Sequence, residues 1–172
     1  MFFTKIINLG KLDFFQSKDF ASMFSGCTDL EELYISHFNT QNSLSFRAMF
    51  NCCFKLKSID VSKFNTSKCK DITNIFCDCS SITEINMFNW DMSSLQKDKD
   101  GFFVNGIFDG CSNLKTIIMS GNFKYKDLRF GITCPTCPFD SLPNNGTIIW
   151  KKGNNINNIL QALPNNWVKQ QI

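Results

Sequence analysis

MFSGCTDLEELYISHFNT, from Met23 to Thr40, is followed 26 residues later by MFNCCFKLKSIDVSKFNT, from Met49 to Thr66, and by IFCDCSSITEINMFNWDM, from Ile75 to Met92. A fourth copy, IFDGCSNLKTIIMS from Ile107 to Ser120, arrives after 32 residues. A fixed period of this length is the mark of stacked repeats, in which no unit buries its apolar face alone and each covers its neighbour. Chains built this way generally bind rather than catalyse.

Two periodicities divide each copy. Phe20, Met23 and Phe24, then Phe46, Met49 and Phe50, Ile72, Ile75 and Phe76, and Val104, Ile107 and Phe108 are apolar at i, i+3 and i+4, which predicts one face of a short helical turn. The next segment changes period. Leu30, Leu33 and Ile35, with Leu56, Ile59 and Val61, Ile82, Ile85 and Met87, and Leu114, Ile117 and Met119, end in the alternation of a strand. A ring closes the unit at Phe38, Phe64 and Trp90, followed at once by Asn39, Asn65 and Asp91, residues that bond their own backbone and bend the chain.

Outside the regular copies the pattern loosens. Stepping back by one period places Ile7, Leu9, Leu12 and Asp13 at matching positions, so the chain opens within a half-repeat. Phe2, Phe3, Phe14 and Phe15 there form either a cap or an apolar end open to a partner. The six additional residues before the fourth copy fall around Lys97 to Gly106, as a tolerated insertion or a binding loop at a corner. After Asn122 the period fades into Cys134-Pro-Thr-Cys137-Pro, a strand from Thr147 to Trp150, a helix from Asn154 to Leu163 and a last strand near Trp167 to Gln170. The expected organisation is an N-terminal half-repeat and cap over 1–19, four repeats over 20–123 and a C-terminal cap over 124–172.

Composition narrows the class. With 19 Phe against 2 Tyr, the rings suit an interior rather than a sticky surface. A net charge of +3 with acids and bases interspersed implies no nucleic-acid or membrane field, and the Lys55, Lys57, Lys63, Lys68 and Lys70 group reads as a solvated face. No apolar run spans a bilayer, and Lys5 and Lys11 enclose too short an apolar stretch for an export signal. Of nine cysteines, Cys27, Cys53, Cys79 and Cys111 hold one repeat position, as small buried hydrophobes do. Equivalent side chains point in parallel rather than at each other, so mostly free thiols in a reducing environment are expected.

The unit MFxxCxxLxxLxxSxFNT, as it stands from Met23 and from Met49, resembles the BspA-like leucine-rich-repeat proteins, in their variant with Met-Phe, Cys and Ser-x-Phe-Asn-Thr. The ending ALPNNWVKQQI is similar to the segment that closes such repeats. The third copy departs with Phe88 for Ser and Trp90 for Phe, and the fourth lacks Phe-Asn-Thr. The resemblance implies an α/β fold, a right-handed leucine-rich-repeat solenoid with one short strand and one helical turn per repeat. It also implies a surface or secreted protein, or a virion component, that works in adhesion and binds host proteins. It supplies no catalytic residues and no cofactor.

On such a fold alternate strand residues face outward. Counting from Leu33, Ile59, Ile85 and Ile117, the exposed sets are Glu32, Tyr34 and Ser36; Ser58, Asp60 and Ser62; Glu84, Asn86 and Phe88; and Thr116, Ile118 and Ser120. Hydroxyls, carboxylates and the large Tyr34 and Phe88 suit a face that binds a protein or glycan ligand. The competing expectation is a structural component that self-associates through its N-terminal end.

Chemistry has little to stand on. Cys134 and Cys137 leave four readings open: a redox dithiol, half of a zinc site, a local disulfide, or unpaired cap cysteines. His37, the lone histidine, shares its slot with Lys63 and Asn89, which marks a surface position rather than a triad member. With no phosphate-binding, dinucleotide or metalloprotease motif, a non-enzymatic protein is expected.

Overall fold

The computed structural model describes the backbone of residues 5–8 and, in full, residues 17–96, 106–120, 142–151, 156, 160, 161 and 163–172. Among the described residues seven strands follow in order: β1 (Lys5–Asn8), β2 (Leu30–Tyr34), β3 (Ser58–Asp60), β4 (Glu84–Met87), β5 (Thr116–Met119), β6 (Gly146–Trp150) and β7 (Trp167–Gln171). They make a two-stranded sheet, β1-β2, and a five-stranded sheet, β3-β4-β5-β6-β7, in which every pair is parallel.

The period is visible as register. Ile7 pairs with Leu33 and Ile59 with Ile85, each one 26-residue step apart, while Ile85 pairs with Ile117 across the longer step. Backbone residues 5–8 thus take the register position one period before β2. Stacking continues on another side of the unit, where Asp19, Ser45 and Asp71 form successive parallel bridges. Between β2 and β3 the strand ladder lapses to one backbone bond, from the Lys57 N–H to the Glu31 carbonyl at 3.2 Å.

Among the described residues helix is almost absent, and the helical turn expected in each repeat does not form there. Residues 21–26, 47–52 and 73–78 are runs of tight turns. In the second repeat, Met49 N–H reaches Phe46 O, Asn51 reaches Ala48 O and Cys53 reaches Phe50 O, all three residues back as in turns. The intervening amides leave the segment: Ala48 bonds Thr73 O, Phe50 bonds Ile75 O and Cys52 bonds Cys77 O in the next repeat. An α-helix would spend those amides internally, so stacking wins over helix formation.

That geometry requires positive φ at two columns four residues apart. Ser22, Ala48, Asn74 and Gly106 fill the first (φ 57°, 52°, 56° and 59°), and Gly26, Cys52, Asp78 and Gly110 the second (75°, 59°, 60° and 70°). Each run is entered through a polar residue that caps it: the amides of Ala21, Arg47 and Thr73 donate to Asp19 Oδ1, Ser45 Oγ and Asp71 Oδ1. In the C-terminal segment the two expected strands appear as β6 and β7. Of the helix expected there, Leu160 and Gln161 are helical, with Leu160 N–H on Ile156 O at 3.0 Å, and most of the remainder lies outside the described residues.

The core is a set of columns that run through the repeats. Phe24, Phe50, Phe76 and Phe108 stack with centroids 5.8, 5.5 and 6.2 Å apart and planes within 3° of parallel. Phe38 and Phe64 begin a second column, where Trp90 replaces Phe and finds a partner for its indole N–H in Val61 O at 2.8 Å. Burying one such ring contributes about 1.5–3 kcal/mol. The cysteine column also has a polar function: the thiols of Cys53, Cys79 and Cys111 each donate to the carbonyl of Phe24, Phe50 or Phe76 one repeat back, at 3.1 Å. Met23, at 36% exposure, is the member of the apolar set that the first repeat leaves outside, whereas Met49 and Ile75 are fully buried.

The Phe-Asn-Thr tail has a division of labour. Asn39, Asn65 and Asp91 each accept the amide two residues on, which turns the chain as expected. The threonines tie repeats together: buried Thr40 Oγ1 accepts the Asn65 N–H at 2.7 Å, and buried Thr66 Oγ1 accepts the Asp91 N–H at 2.8 Å.

Candidate functional site

The outward face of the five-stranded sheet is built by strand alternation on parallel register. One column runs Ser58, Glu84, Thr116, Thr147 and Val168, and the next runs Asp60, Asn86, Ile118, Ile149 and Gln170. Between them Ile59, Ile85, Ile117 and Ile148 point inward and are buried. The face therefore offers side chains about 4.8 Å apart along each column, with no backbone polar group left to satisfy inside the ladder.

Its chemistry is graded. Asp60 and Glu84 place two carboxylates at the β3–β4 end, while Ile118, Ile149 and Val168 make the β5–β7 end apolar, with Thr116 and Thr147 beside them. Ser58, Asp60 and Glu84 are exposed, and Asn86, Thr116, Ile118, Thr147 and Ile149 are half-buried among their neighbours. Val168 is 60% exposed. Carboxylates can accept from hydroxyls or cations of a partner, and the isoleucines can bury apolar surface of one.

The expected site residues do not all share this surface. Glu32 and Tyr34 lie on β2, in the other sheet, where the exposed Tyr34 hydroxyl donates to Glu32 Oε2 at 2.8 Å. That hydrogen bond and the carboxylate charge raise the Tyr34 pKa. Ser36 is exposed just beyond β2, and Phe88 is half-buried in the turn after β4. Ser62 and Ser120 are corrections to the expected face: both are buried. The strands have ended before them, and at Ser62 the amide already turns back to Asp60 Oδ1 at 2.9 Å.

Thr147, Ile149, Val168 and Gln170 are absent from the sequence-derived set because they follow the loss of period. A signal is nonetheless present. Thr116-Ile-Ile-Met119 and Thr147-Ile-Ile-Trp150 are near copies, and the structure pairs them residue for residue.

Charge beside the face is locally neutralised. Lys55 bonds Asp29 at 2.7 Å and Lys57 bonds Glu31 at 2.5 Å, each across one repeat, and these partners raise both lysine pKa values. Exposed pairs of this kind contribute little to stability. The lysine group of the second repeat thus works partly as inter-repeat ties. His37 is exposed, with its ring edge-on to Phe38 at 5.2 Å. Phe2, Phe3, Phe14, Phe15, the segment from Lys97 to Asn105, and Cys134 and Cys137 lie outside the described residues. Among the described residues there is no cluster of three metal-ligating side chains, the seven cysteines are unpaired, and no helix is long and apolar enough to cross a membrane.

Short strands that pair in parallel at a repeat spacing, over columns of recurring core residues, define a stacked-repeat protein. The chain belongs to the family described as Mycoplasma protein of unknown function, DUF285, whose model matches residues 1–120. This is a BspA-like repeat family, so the resemblance read from the repeat is upheld at that level. No curated protein and no solved structure matches the chain.

Proposed function

We propose that the chain is a non-enzymatic interaction module of the Met-Phe/Cys/Ser-x-Phe-Asn-Thr leucine-rich-repeat variant, a right-handed solenoid that binds a protein or glycan ligand in adhesion or surface recognition. The observation that carries this reading is the graded sheet face. Alternation commits Ile59, Ile85, Ile117 and Ile148 to the core, which leaves Asp60, Glu84, Ile118 and Ile149 with no part in packing the interior. Side chains of that kind, carboxylates beside branched aliphatics on a rigid frame, suit recognition.

The test is binding of the immobilised chain to a glycan array and to a panel of extracellular-matrix proteins. Saturable binding to at least one probe is expected, weakened tenfold or more by the I118E/I149E double variant while thermal unfolding stays unchanged. Binding insensitive to that variant and to D60N/E84Q, or no binding across the panels, refutes the reading.

The alternative is a structural component of a virion or surface assembly that stacks through a solenoid end. It draws on β7, an outer strand of the five-stranded sheet whose Val168 is 60% exposed, and on Ile172 just beyond it, 58% exposed. Light scattering over a dilution series separates the two: a monomer at all concentrations favours the ligand-binding face, and an oligomer that V168K dissociates favours assembly.

A further inference from the structure

The columns of identical residues keep most thiols apart, since side chains at equivalent positions run parallel. Cys52 and Cys77 are not equivalent. Cys52 occupies the second positive-φ column, in register with Asp78, and Cys77 sits one residue before that column in the next repeat. This offset lets two thiols from adjacent repeats converge. Cys52 Sγ lies 4.0 Å from Asp78 Oδ2, and Cys77 Sγ lies 3.6 Å from the same oxygen.

The backbone supports the same meeting. Cys52 N–H donates to Cys77 O at 2.8 Å, so the two residues are directly bonded across the repeats. With N–Cα ~1.46 Å and a carbonyl oxygen about 2.4 Å from its own Cα, a bond of 2.8 Å keeps the two Cα atoms within about 6.7 Å of each other. A disulfide accepts Cα separations of roughly 4.4–6.8 Å. One staggered change of χ1 moves a thiol sulfur by roughly 3 Å, enough to bring one sulfur off the shared oxygen toward the other. Access also favours this pair: Cys52 and Cys77 are half-buried, as is Cys27, whereas Cys53, Cys69, Cys79 and Cys111 are buried.

We propose that Cys52 and Cys77 are a thiol–disulfide exchange site, which a small disulfide such as oxidised glutathione converts into a bond that staples the second repeat to the third. The steps balance. Cys52, whose sulfur stands farther from the carboxylate, attacks one sulfur of glutathione disulfide as its thiolate, forming a mixed disulfide and releasing one glutathione thiolate. Cys77 then attacks Cys52 Sγ, closing the protein disulfide and releasing the second glutathione thiolate. The two thiol protons pass to solvent and the released glutathiones, so two protein thiols are oxidised and one glutathione disulfide is reduced.

Asp78 controls the rate as a positioning residue. Burial first, then the Asp78 carboxylate, with Asp109 and Cys52 adding to it, pushes the Cys77 thiol up to about 12. The thiolate is the attacking species, so closure is slow near neutral pH and quickens as the pH rises or when the Asp78 charge is removed. Asn tolerates the positive φ at this position, which makes D78N a clean charge deletion.

The experiment is oxidation of the full chain with oxidised glutathione at pH 8, followed by intact mass and a non-reducing peptide map. The expected product is a Cys52–Cys77 linked peptide as the main disulfide, with a protein mass loss of about 2 Da that dithiothreitol reverses. C52S and C77S should each abolish the link, and D78N should form it severalfold faster. Separate glutathione adducts on Cys52 and Cys77, bridging of either only to another cysteine, or no oxidation at these positions would overturn the proposal. Because the map reads the unsubstituted protein, the outcome does not depend on any variant folding. An unchanged rate in D78N would overturn the part given to Asp78.

Discussion

Replacing Phe76 by Ala tests whether the ring column holds the repeats together. Phe76 is fully buried and sits between Phe50 at 5.5 Å and Phe108 at 6.2 Å, with Trp90 at 6.4 Å. Phe-to-Ala changes in cores cost about 3–5 kcal/mol, and a site flanked by rings on both sides cannot collapse to close the cavity, which puts F76A at the upper end, about 4–5 kcal/mol. Phe24 provides the internal comparison. It is 5% exposed and stacks on Phe50 alone among the described residues, so F24A belongs at the lower end, about 3 kcal/mol. For a denaturant slope of about 2 kcal/mol per molar, F76A moves the urea midpoint down by about 2 M, a large part of the 5–15 kcal/mol that typical domains possess. Tryptophan fluorescence follows the transition, because Trp90 is buried beside the deleted ring. A loss below about 2 kcal/mol for F76A, or an equal loss for F24A, would refute a column in which each ring is supported from both sides.

Three further outcomes follow from the same columns. In G110A a methyl would stand 2.9 Å from Asp78 Cα and 2.3 Å from its Oδ1 at φ +70°, so a loss of about 2–4 kcal/mol is expected by urea melt, and a loss under about 0.5 would contradict it. T66V keeps the side chain's shape but strips the half-buried Asp91 N–H of its acceptor, for about 1–3 kcal/mol, whereas T66S keeps the hydroxyl and should cost less; the reverse order would show that Thr66 acts by packing alone. Burial raises the thiols of Cys53 and Cys111 to about 12 and that of Cys69 to about 11, while unfolded thiols ionise near ~8.5. The folded chain then holds protons that the unfolded chain has lost, so this stability is whole below pH ~8.5 and is lost as pH rises through the folded values. The midpoint of thermal unfolding in reductant should fall steadily from about pH 9 to 10.5, and a flat profile would count against buried, protonated thiols.

What is legible in the sequence is what repeats. Ile59, Ile85 and Ile117 recur at fixed offsets because each occupies the same inward slot of a parallel ladder, and β3, β4 and β5 fall on them. The expected helical turn fails for a physical reason. Residues 46, 49 and 50 satisfy both a helix face and a run of alternating turns, since both bury the same spacing. The distinguishing sign is the content of two columns, Asn74 and Gly106, then Gly26, Asp78 and Gly110, where residues that tolerate positive φ gather four apart. The candidate face is legible only where the period lasts. Strict alternation extends the face one alternate position too far, to Ser62 and Ser120, and stops it before Ile149 and Val168, whose strands join at changed spacing.

The identity of the inward residues and the freedom of the outward ones are two sides of one constraint. A parallel ladder fixes spacing, so each inward slot must match the slot above and below: Phe and Cys return at every step, and Leu and Ile interchange within theirs. Outward positions meet only their column neighbours and solvent, and there Ser58, Glu84, Thr116, Thr147 and Val168 succeed one another without a shared chemistry. Exposed substitutions away from caps and ties usually stay within about 0.5 kcal/mol, so the face can change its charge and shape while the columns keep the fold. A surface free to vary on a frame that cannot is the arrangement that recognition requires, and it is why the proposed binding function is assigned to the face rather than to any buried group.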